Sequence, residues 1–148
     1  MTGSQYNKGV VRISRPIIIH RKILFGDCDP EGIVYTPRFS YFALEATHDA
    51  LSDLLGAPSI STLKSMGILT PVRAFDLEFL APVTWDQELK LEVSISDIGQ
   101  HSFTFDVHGL LPDETLAFRA AITYVTVSAD DKNKRRIPEA LLKALKPV

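Results

Sequence analysis

Between residues 25 and 37 the chain reads Phe-Gly-Asp-Cys-Asp-Pro-Glu-Gly-Ile-Val-Tyr-Thr-Pro, and this stretch decides how a strand is joined to a helix. Its first half is dense in Gly, Asp and Pro, the residues that favour turns. It closes on Thr36-Pro37, which predicts a helix N-cap followed by proline at the first helical position, where the missing N–H costs nothing. We therefore expect a strand to end at Gly26 and a helix to begin at Pro37.

The elements on either side of this stretch have clear periodicities. Over residues 17 to 25 apolar and polar residues alternate, which predicts a strand with Arg21 interrupting its apolar face. Over residues 37 to 55 apolar residues recur at helical spacing, and Gly56 predicts the C-terminal stop. Polar side chains form one stripe on this helix: Glu45, His48, Asp49, Ser52 and Asp53. A helix that is polar along only one stripe must bury the rest of its surface, and a curved sheet packed around it is the natural candidate.

Strand patterns dominate the rest of the chain. They cover residues 69–79, 88–95, 102–108 and 116–127, with short helices predicted over 61–66 and 138–145. The connections at Gly99-Gln100 and at residues 111–114 are short enough for antiparallel hairpins. The prediction is an α+β fold in which an antiparallel five-stranded sheet wraps around one long central helix. Residues 1–16 are expected to form a partly ordered arm, and residues 17–148 a single domain.

Composition limits the possible functions. The chain has 148 residues, is 45% hydrophobic and carries a formal net charge of -2, as an ordinary globular domain does. This charge creates no overall field to attract nucleic acid or an anionic membrane, so we expect neither as a partner. No segment approaches the roughly 20 apolar residues that span a bilayer. A single cysteine, Cys28, excludes an internal disulfide, and the expected location is cytoplasmic.

The stretch from Phe25 to Tyr35 resembles the signature of the 4-hydroxybenzoyl-CoA thioesterase family, whose fold is the hotdog fold. The match is to the branch in which an Asp precedes a Pro-x-Gly-Ile-Val segment. It continues more loosely through residues 67–71 and Trp85-Asp86. The resemblance implies hydrolysis of an acyl- or aroyl-CoA thioester to free acid and CoA, at a site on a dimer interface. Residue by residue, it implies Asp29 as the catalytic carboxylate and Thr36 as the main backbone donor to the thioester oxygen.

The chemistry of the reaction agrees with these residues. Thioester hydrolysis needs a carboxylate, acting as base or as nucleophile, and donors aimed at the oxygen that becomes negative. Because Pro37 has no N–H, the donors at the helix start narrow to Thr36, Arg38 and Phe39. The Thr36 hydroxyl is expected to cap Arg38 or Phe39, which leaves the Thr36 N–H free. The substrate pocket is expected from Gly32, Tyr35, Pro37, Thr70 and Pro71, some of them from the partner subunit.

Other interpretations of these residues remain open. Asp27 and Asp29 are common turn residues that bond their own backbone. Cys28 is a candidate nucleophile, but the carboxylates on both sides raise a thiol's pKa, so Cys28 is expected to be dispensable. Asp27 is expected to be dispensable as well, because the reaction needs one carboxylate and the resemblance places it at Asp29. Glu45 is a rival carboxylate, although it lies too far along the helix to share a carbonyl with Thr36, and a solvated or salt-bridged role is expected. The histidines lack metal-ligand spacing, and no metal or cofactor is expected.

The carrier of the acyl group is less clearly indicated. The resembled branch has a basic cluster at the third-to-fourth strand hairpin, where this chain has Gly99-Gln100-His101. Lys134, Arg135 and Arg136 are the alternative candidates for binding CoA phosphates. Acyl carrier protein is the alternative thioester carrier, and a non-catalytic hotdog module that binds acyl groups is a third hypothesis. A homodimer or a dimer-of-dimers tetramer is expected, because a five-stranded sheet leaves an exposed edge.

Overall fold

The computed structural model describes residues 15–146, so residues 1–14 of the predicted arm lie outside the described residues. Three helices are present in this part of the chain: α1 Arg38–Leu55, α2 Ser59–Ser65 and α3 Glu139–Leu145. Seven strands are present among the described residues: β1 Ile17–Lys22, β2 Ile68–Leu69, β3 Val72–Phe79, β4 Glu88–Ile98, β5 Ser102–Leu110, β6 Leu116–Val125 and β7 Val127–Ser128. None of the helices over residues 15–146 combines the length and hydropathy that a membrane crossing requires.

The main sheet has the order β1-β4-β5-β6-β3, and all of its pairs are antiparallel. One face of this sheet packs against α1, whose Phe42, Ala43 and Ala50 are fully buried in a core that includes Phe103 and Phe118. Gly56 ends α1 with a φ of 69°, in the left-handed region that glycine tolerates. The predicted five-stranded antiparallel sheet around a long helix is confirmed.

Two of the predicted strands are each divided in two. The strand predicted over 69–79 breaks at Thr70-Pro71 into β2 and β3, and β2 pairs with β7 in a separate small sheet. The strand predicted over 116–127 breaks at Thr126, whose N–H and hydroxyl both bond to the carbonyl oxygen of His101. Proline has no N–H to continue a ladder, and the fully buried Thr126 has its polar groups committed elsewhere.

The first strand ends earlier than predicted. Strand β1 stops at Lys22, and Phe25 is 82% exposed at the start of a 3₁₀ turn over Phe25–Asp27. The turn forms because the Asp27 carboxylate accepts the Leu24 backbone N–H at 2.7 Å, which bends the chain out of the strand. The 3₁₀ turn delivers Asp27 to the interior, where it is fully buried.

Candidate active site

The loop before α1 folds back on itself as a narrow antiparallel turn. The Tyr35 N–H donates to the Asp27 carbonyl oxygen at 2.8 Å, and the Asp29 N–H donates to the Ile33 carbonyl oxygen, also at 2.8 Å. A β-bridge joins Cys28 to Val34 between these two bonds. The loop therefore has a fixed backbone, with Asp29 near its tip and Thr36 just beyond its returning arm.

The Asp29 carboxylate is bonded on one oxygen only. Its Oδ1 accepts the N–H groups of Glu31 at 2.9 Å and Ile33 at 3.2 Å, so Asp29 does hold its own turn. Oδ2 has no hydrogen-bond partner in residues 15–146, and the side chain is half-buried. Gly32 in this turn has a φ of +82°, and its carbonyl oxygen accepts the Trp85 N–H at 2.9 Å. Asp29 can therefore stabilise its turn through Oδ1 while Oδ2 stays available to a ligand.

The predicted helix cap is wrong. The residue at the N-cap is Pro37, helix α1 begins at Arg38, and no side chain caps it. The N–H groups of Arg38, Phe39 and Ser40 donate instead to the carbonyl oxygens three residues earlier, at 2.8, 3.2 and 3.2 Å. These 3₁₀-type bonds use the donors that the Thr36 hydroxyl was expected to cap, a common arrangement at helix ends.

The Thr36 backbone N–H is the donor that this arrangement leaves free. From Asp27 to Ser40, it is the one backbone N–H without an acceptor in the described part of the chain. Thr36 is exposed, so this N–H can meet a ligand, and it lies at the positive end of the α1 dipole. Of the three donors expected at the helix start, only Thr36 therefore remains available.

Asp27 has a role that its sequence context did not reveal. Its side chain is 0% exposed and binds two guanidinium groups, from Arg21 and Arg38. Burial alone would raise the pKa of Asp27, but the Leu24 N–H, Arg38 and Arg21 together hold this pKa below its ordinary value. The interruption of the β1 apolar pattern by Arg21 was the available signal, since a guanidinium on an inward face requires an anionic partner.

The two rival residues, Cys28 and Glu45, have surroundings that explain them without a catalytic role. Burial first, and then Asp27 and Asp29, raise the pKa of the Cys28 thiol, which disfavours the thiolate. Glu45 is half exposed and lies 3.4 Å from Nε of Arg21, so the expected salt-bridged role is confirmed.

The remaining predicted site residues fall into separate places. Gly32, Tyr35 and Pro37 belong to the loop of Asp29 and Thr36. Thr70 and Pro71 line a different cavity of about 480 Å³, together with His48, Ile60, Leu69, Val127 and Lys132. Lys134 lines a small cavity with Arg73 and His101, and Arg136 lines a groove with Gln100 and Lys146. Among the described residues of one chain, the cavity lined by Thr70 and Pro71 includes no residue of the Asp29 loop.

Known proteins resemble this chain along most of its length. The 1,4-dihydroxy-2-naphthoyl-CoA hydrolase of Prochlorococcus marinus is 25% identical over 130 residues, 84% of this chain and 85% of that protein. The 4-hydroxybenzoyl-CoA thioesterase of Pseudomonas sp. is 29% identical over 92 residues, 62% of this chain and 65% of that protein. A crystal structure of an aspartate-to-asparagine variant of 4-hydroxybenzoyl-CoA thioesterase, complexed with 4-hydroxybenzoyl-CoA, matches with a TM-score of 0.76 at 26% identity. That match covers 90% of this chain and 100% of the other.

The family pattern of the thioesterase-like superfamily spans residues 23–145, which include both arms of the Asp29 loop and all of α1. The predicted enzyme class, a thioesterase, and the predicted hotdog fold are thereby confirmed. This chain belongs to the thioesterase-like superfamily.

Proposed function

We propose that this protein hydrolyses an acyl- or aroyl-CoA thioester, with Asp29 as base or nucleophile and the Thr36 backbone N–H as oxyanion donor. The observation that carries the proposal is a single loop with two unused groups. The Asp29 Oδ2 and the Thr36 N–H both lack a partner among the described residues, while the neighbouring backbone N–H groups are bonded. A rigid loop with one spare carboxylate oxygen and one spare donor has the parts that acyl transfer needs.

The reaction then follows from these two groups. Either water, deprotonated by Asp29, or the carboxylate itself adds to the thioester carbon. The carbonyl oxygen becomes negative and accepts a hydrogen bond from the Thr36 N–H, with the α1 dipole adding to the stabilisation. When the carbonyl re-forms, the C–S bond breaks and CoA leaves as its thiolate, which in the base route takes the proton that Asp29 removed from water. In the nucleophile route one water then hydrolyses the acyl-Asp29 anhydride, which frees the acid, restores the Asp29 carboxylate and supplies the proton that the CoA thiolate takes up.

An aroyl group is the acyl group that the surroundings favour. Tyr35 is 59% exposed beside Thr36, and the rings of Phe25 and Trp85, two residues that adjoin the loop, meet edge to face at 5.9 Å. Exposed aromatic rings of this kind bind a planar ring with little loss of conformational entropy. The relatives from Prochlorococcus and Pseudomonas are named for hydroxylated aroyl-CoA esters, which supports the same class of substrate.

Lys134 and Arg136 are the stronger candidates for the CoA phosphates. Neither forms an ion pair within residues 15–146, and Lys134 shares its cavity with Arg73, which is also without one. Arg135 differs because Asp131 lies close enough for their charges to interact. Unpaired cations, such as Lys134 with Arg73 in one cavity and Arg136 in the groove that also contains Gln100, suit a phosphate better than a cation already balanced by a carboxylate.

A dimer built through β3 would complete the site. Strand β3 is one of the two edge strands of the main sheet, and most of its residues are exposed on both faces, including Val72 and Phe79 at 42% and 51%. An exposed edge strand of eight residues is a liability unless another strand pairs with it or covers it. Because Thr70 and Pro71 immediately precede β3, pairing of two β3 edges would bring these residues to the partner subunit, where the pocket is proposed to form.

Release of free thiol from a panel of aroyl-, short-chain and long-chain CoA esters tests the proposal. Matched acyl-pantetheine esters, which lack the nucleotide, supply the control for phosphate binding. Lys134→Gln with Arg136→Gln should raise KM for the CoA ester and leave KM for the pantetheine ester unchanged. If KM rose equally for both substrates, Lys134 and Arg136 would not be the residues that bind the CoA phosphates. If the protein hydrolysed acyl carrier protein thioesters and no CoA esters, acyl carrier protein and not CoA would be the carrier of the acyl group.

A further inference from the structure

The buried Asp27 carboxylate connects the end of strand β1 to the start of helix α1. Nε of Arg38 donates to its Oδ1 at 2.8 Å, and Arg38 is the first residue of α1. Arg21, in β1, binds the same carboxylate through both terminal nitrogens, at 3.1 and 3.2 Å. The Leu24 N–H completes the set at 2.7 Å. Bidentate guanidinium pairing of this kind fixes orientation as well as contributing energy.

The backbone of Asp27 is bonded to the same region as its side chain. Its carbonyl oxygen accepts the Tyr35 N–H at 2.8 Å, so Asp27 is tied to the residue before Thr36. Through Arg38, its carboxylate is tied to the residue two positions after Thr36. The Thr36 N–H has no hydrogen bond of its own among the described residues, so its direction depends on these neighbours.

We propose that Asp27 is a positioning residue, which aims the Thr36 N–H at the thioester oxygen by holding Arg38 and Tyr35 while Arg21 holds its carboxylate. This inference rests on the proposed role of Thr36 in thioester hydrolysis. We name the Asp27 carboxylate with Arg21 and Arg38 the Asp27 clamp. Its role departs from the expectation, drawn from the sequence, that Asp27 is dispensable.

A purely electrostatic role for Asp27 would have the opposite effect on rate. Arg38 places a positive charge at the positive end of the α1 dipole, and Asp27 offsets it. If only its charge mattered, neutralising Asp27 would leave more positive potential near the developing oxyanion and would raise kcat. If the clamp positions the donor, neutralising Asp27 should lower kcat, because small displacements of catalytic groups are costly. The sign of the change therefore distinguishes the two roles.

The test compares Asp27→Asn and Arg38→Gln with wild type in steady-state kinetics and amide hydrogen exchange. We expect kcat for an aroyl-CoA to fall at least about tenfold, with KM changed less than about threefold, since the donor acts mainly in the transition state. Amide exchange over residues 33–39 of the unliganded protein should accelerate. The double variant should lose no more than the worse single variant, because both remove one link. Arg38→Lys, which keeps the charge and a donor, should recover part of kcat.

The matched control is Thr47→Val, a buried change in α1 at a residue whose hydroxyl contacts Leu44 and Tyr124 and no member of the Asp27 clamp. It should lower stability while leaving kcat and the exchange of residues 33–39 unchanged. If Asp27→Asn does not fold, amide exchange over residues 33–39 in Arg38→Gln decides the matter, because loss of the Arg38 charge would lower kcat under either role; the Arg38 side chain is 34% exposed, so this variant is expected to fold. Unchanged or raised kcat with unchanged exchange would overturn the clamp. A wild-type protein without thioesterase activity would instead refute the proposed function, and the exchange measurement would still test the clamp.

Discussion

Tyr35 donates its backbone N–H to the carbonyl oxygen of Asp27, and this one bond sets the frame of the candidate site. Asp29 lies two residues after Asp27 on the outgoing arm of the loop, and Thr36 lies one residue after Tyr35 on the returning arm. Asp29 and Thr36 are therefore each within two residues of the hydrogen-bonded pair Asp27 and Tyr35. Such an arrangement limits how far either group can move relative to the other.

Asp29→Asn should abolish most activity without unfolding the loop. Asparagine keeps an oxygen that can accept the Glu31 and Ile33 N–H groups, but it cannot act as base or nucleophile. We expect kcat to fall at least about 10²-fold, the lower range for such catalysis. The control is Cys28→Ala, which should retain most activity. Thiol release by Asp29→Asn at a rate close to wild type would show that another group performs the chemistry.

Two substitutions at Thr36 separate its side chain from its backbone. Because the hydroxyl caps nothing, Thr36→Ala should change the free energy of unfolding by no more than about 0.5 kcal/mol and leave kcat nearly unchanged. Thr36→Pro deletes the N–H, and kcat should fall about 10²–10³-fold.

An ester-backbone analogue at residue 36 removes the same N–H without the constraint of a second proline. It should lose kcat to the same extent if Thr36 is the oxyanion donor. Full activity of a folded ester-backbone protein would show that the oxyanion is bound elsewhere.

The buried pair of Thr47 and Tyr124 should respond asymmetrically to substitution. Their hydroxyl oxygens lie 2.6 Å apart, and the Thr47 hydroxyl also donates to the Leu44 carbonyl oxygen at 2.9 Å. Since a hydroxyl has one proton, Tyr124 is the donor within the pair. Thr47→Val leaves the Tyr124 O–H buried and unpaired and should cost about 1–3 kcal/mol, whereas Tyr124→Phe should cost less.

Chemical denaturation of the two single variants and the double variant measures this asymmetry. The double variant should be more stable than Thr47→Val, because it removes the unpaired hydroxyl. A Tyr124→Phe variant that is less stable than Thr47→Val would reverse the donor assignment.

His48 should make the protein less stable in mild acid. Burial lowers the pKa of His48 below its ordinary value of 6.5, and Asp49 offsets only part of this. As pH falls from 6.5 towards the lower folded value, the unfolded chain takes up the proton first, so the free energy of unfolding decreases. Above 6.5 both states are neutral and the contribution is fully present.

Urea unfolding at pH 7.5 and 5.5 measures this effect. The control is His48→Asn, which can still bond Ser59 Oγ, as His48 Nδ1 does at 3.1 Å. The loss of stability between the two pH values should be smaller in the variant. Equal losses in both proteins would assign the pH dependence to other groups.

Assembly should be required for activity. We expect sedimentation of the wild type to give a dimer or a tetramer, and specific activity to fall on dilution when the dimer dissociates. Val72→Lys with Phe79→Lys places two charges on the β3 edge and should favour the monomer. The control is Ile18→Lys, which places a charge on an exposed residue of β1, outside β3. An active monomer at assay concentration would refute a site shared between subunits.

The sequence alone determined the features that depend on local pattern. The alternation in β4 and β5, the helical spacing of α1 and the Gly56 stop are written in neighbouring residues, because strand and helix periods are properties of the backbone. The Asp-Cys-Asp-Pro-Glu-Gly stretch likewise predicted a turn with a carboxylate near its tip. Its resemblance to a thioesterase signature was enough to indicate the family, because that signature is itself a pattern of neighbouring residues.

Only the tertiary structure decided the hydrogen-bond and ion-pair partners of the polar groups. Asp27 and Asp29 look alike in sequence, yet only Asp27 meets Arg21 and Arg38, from elements before and after it in the chain. The expected cap by the Thr36 hydroxyl does not form, because the N–H groups of Arg38 and Phe39 donate to backbone carbonyl oxygens instead. Periodicity encodes which face is buried, whereas hydrogen-bond partners depend on distances between elements that only packing sets. The free N–H of Thr36 is the result of that competition.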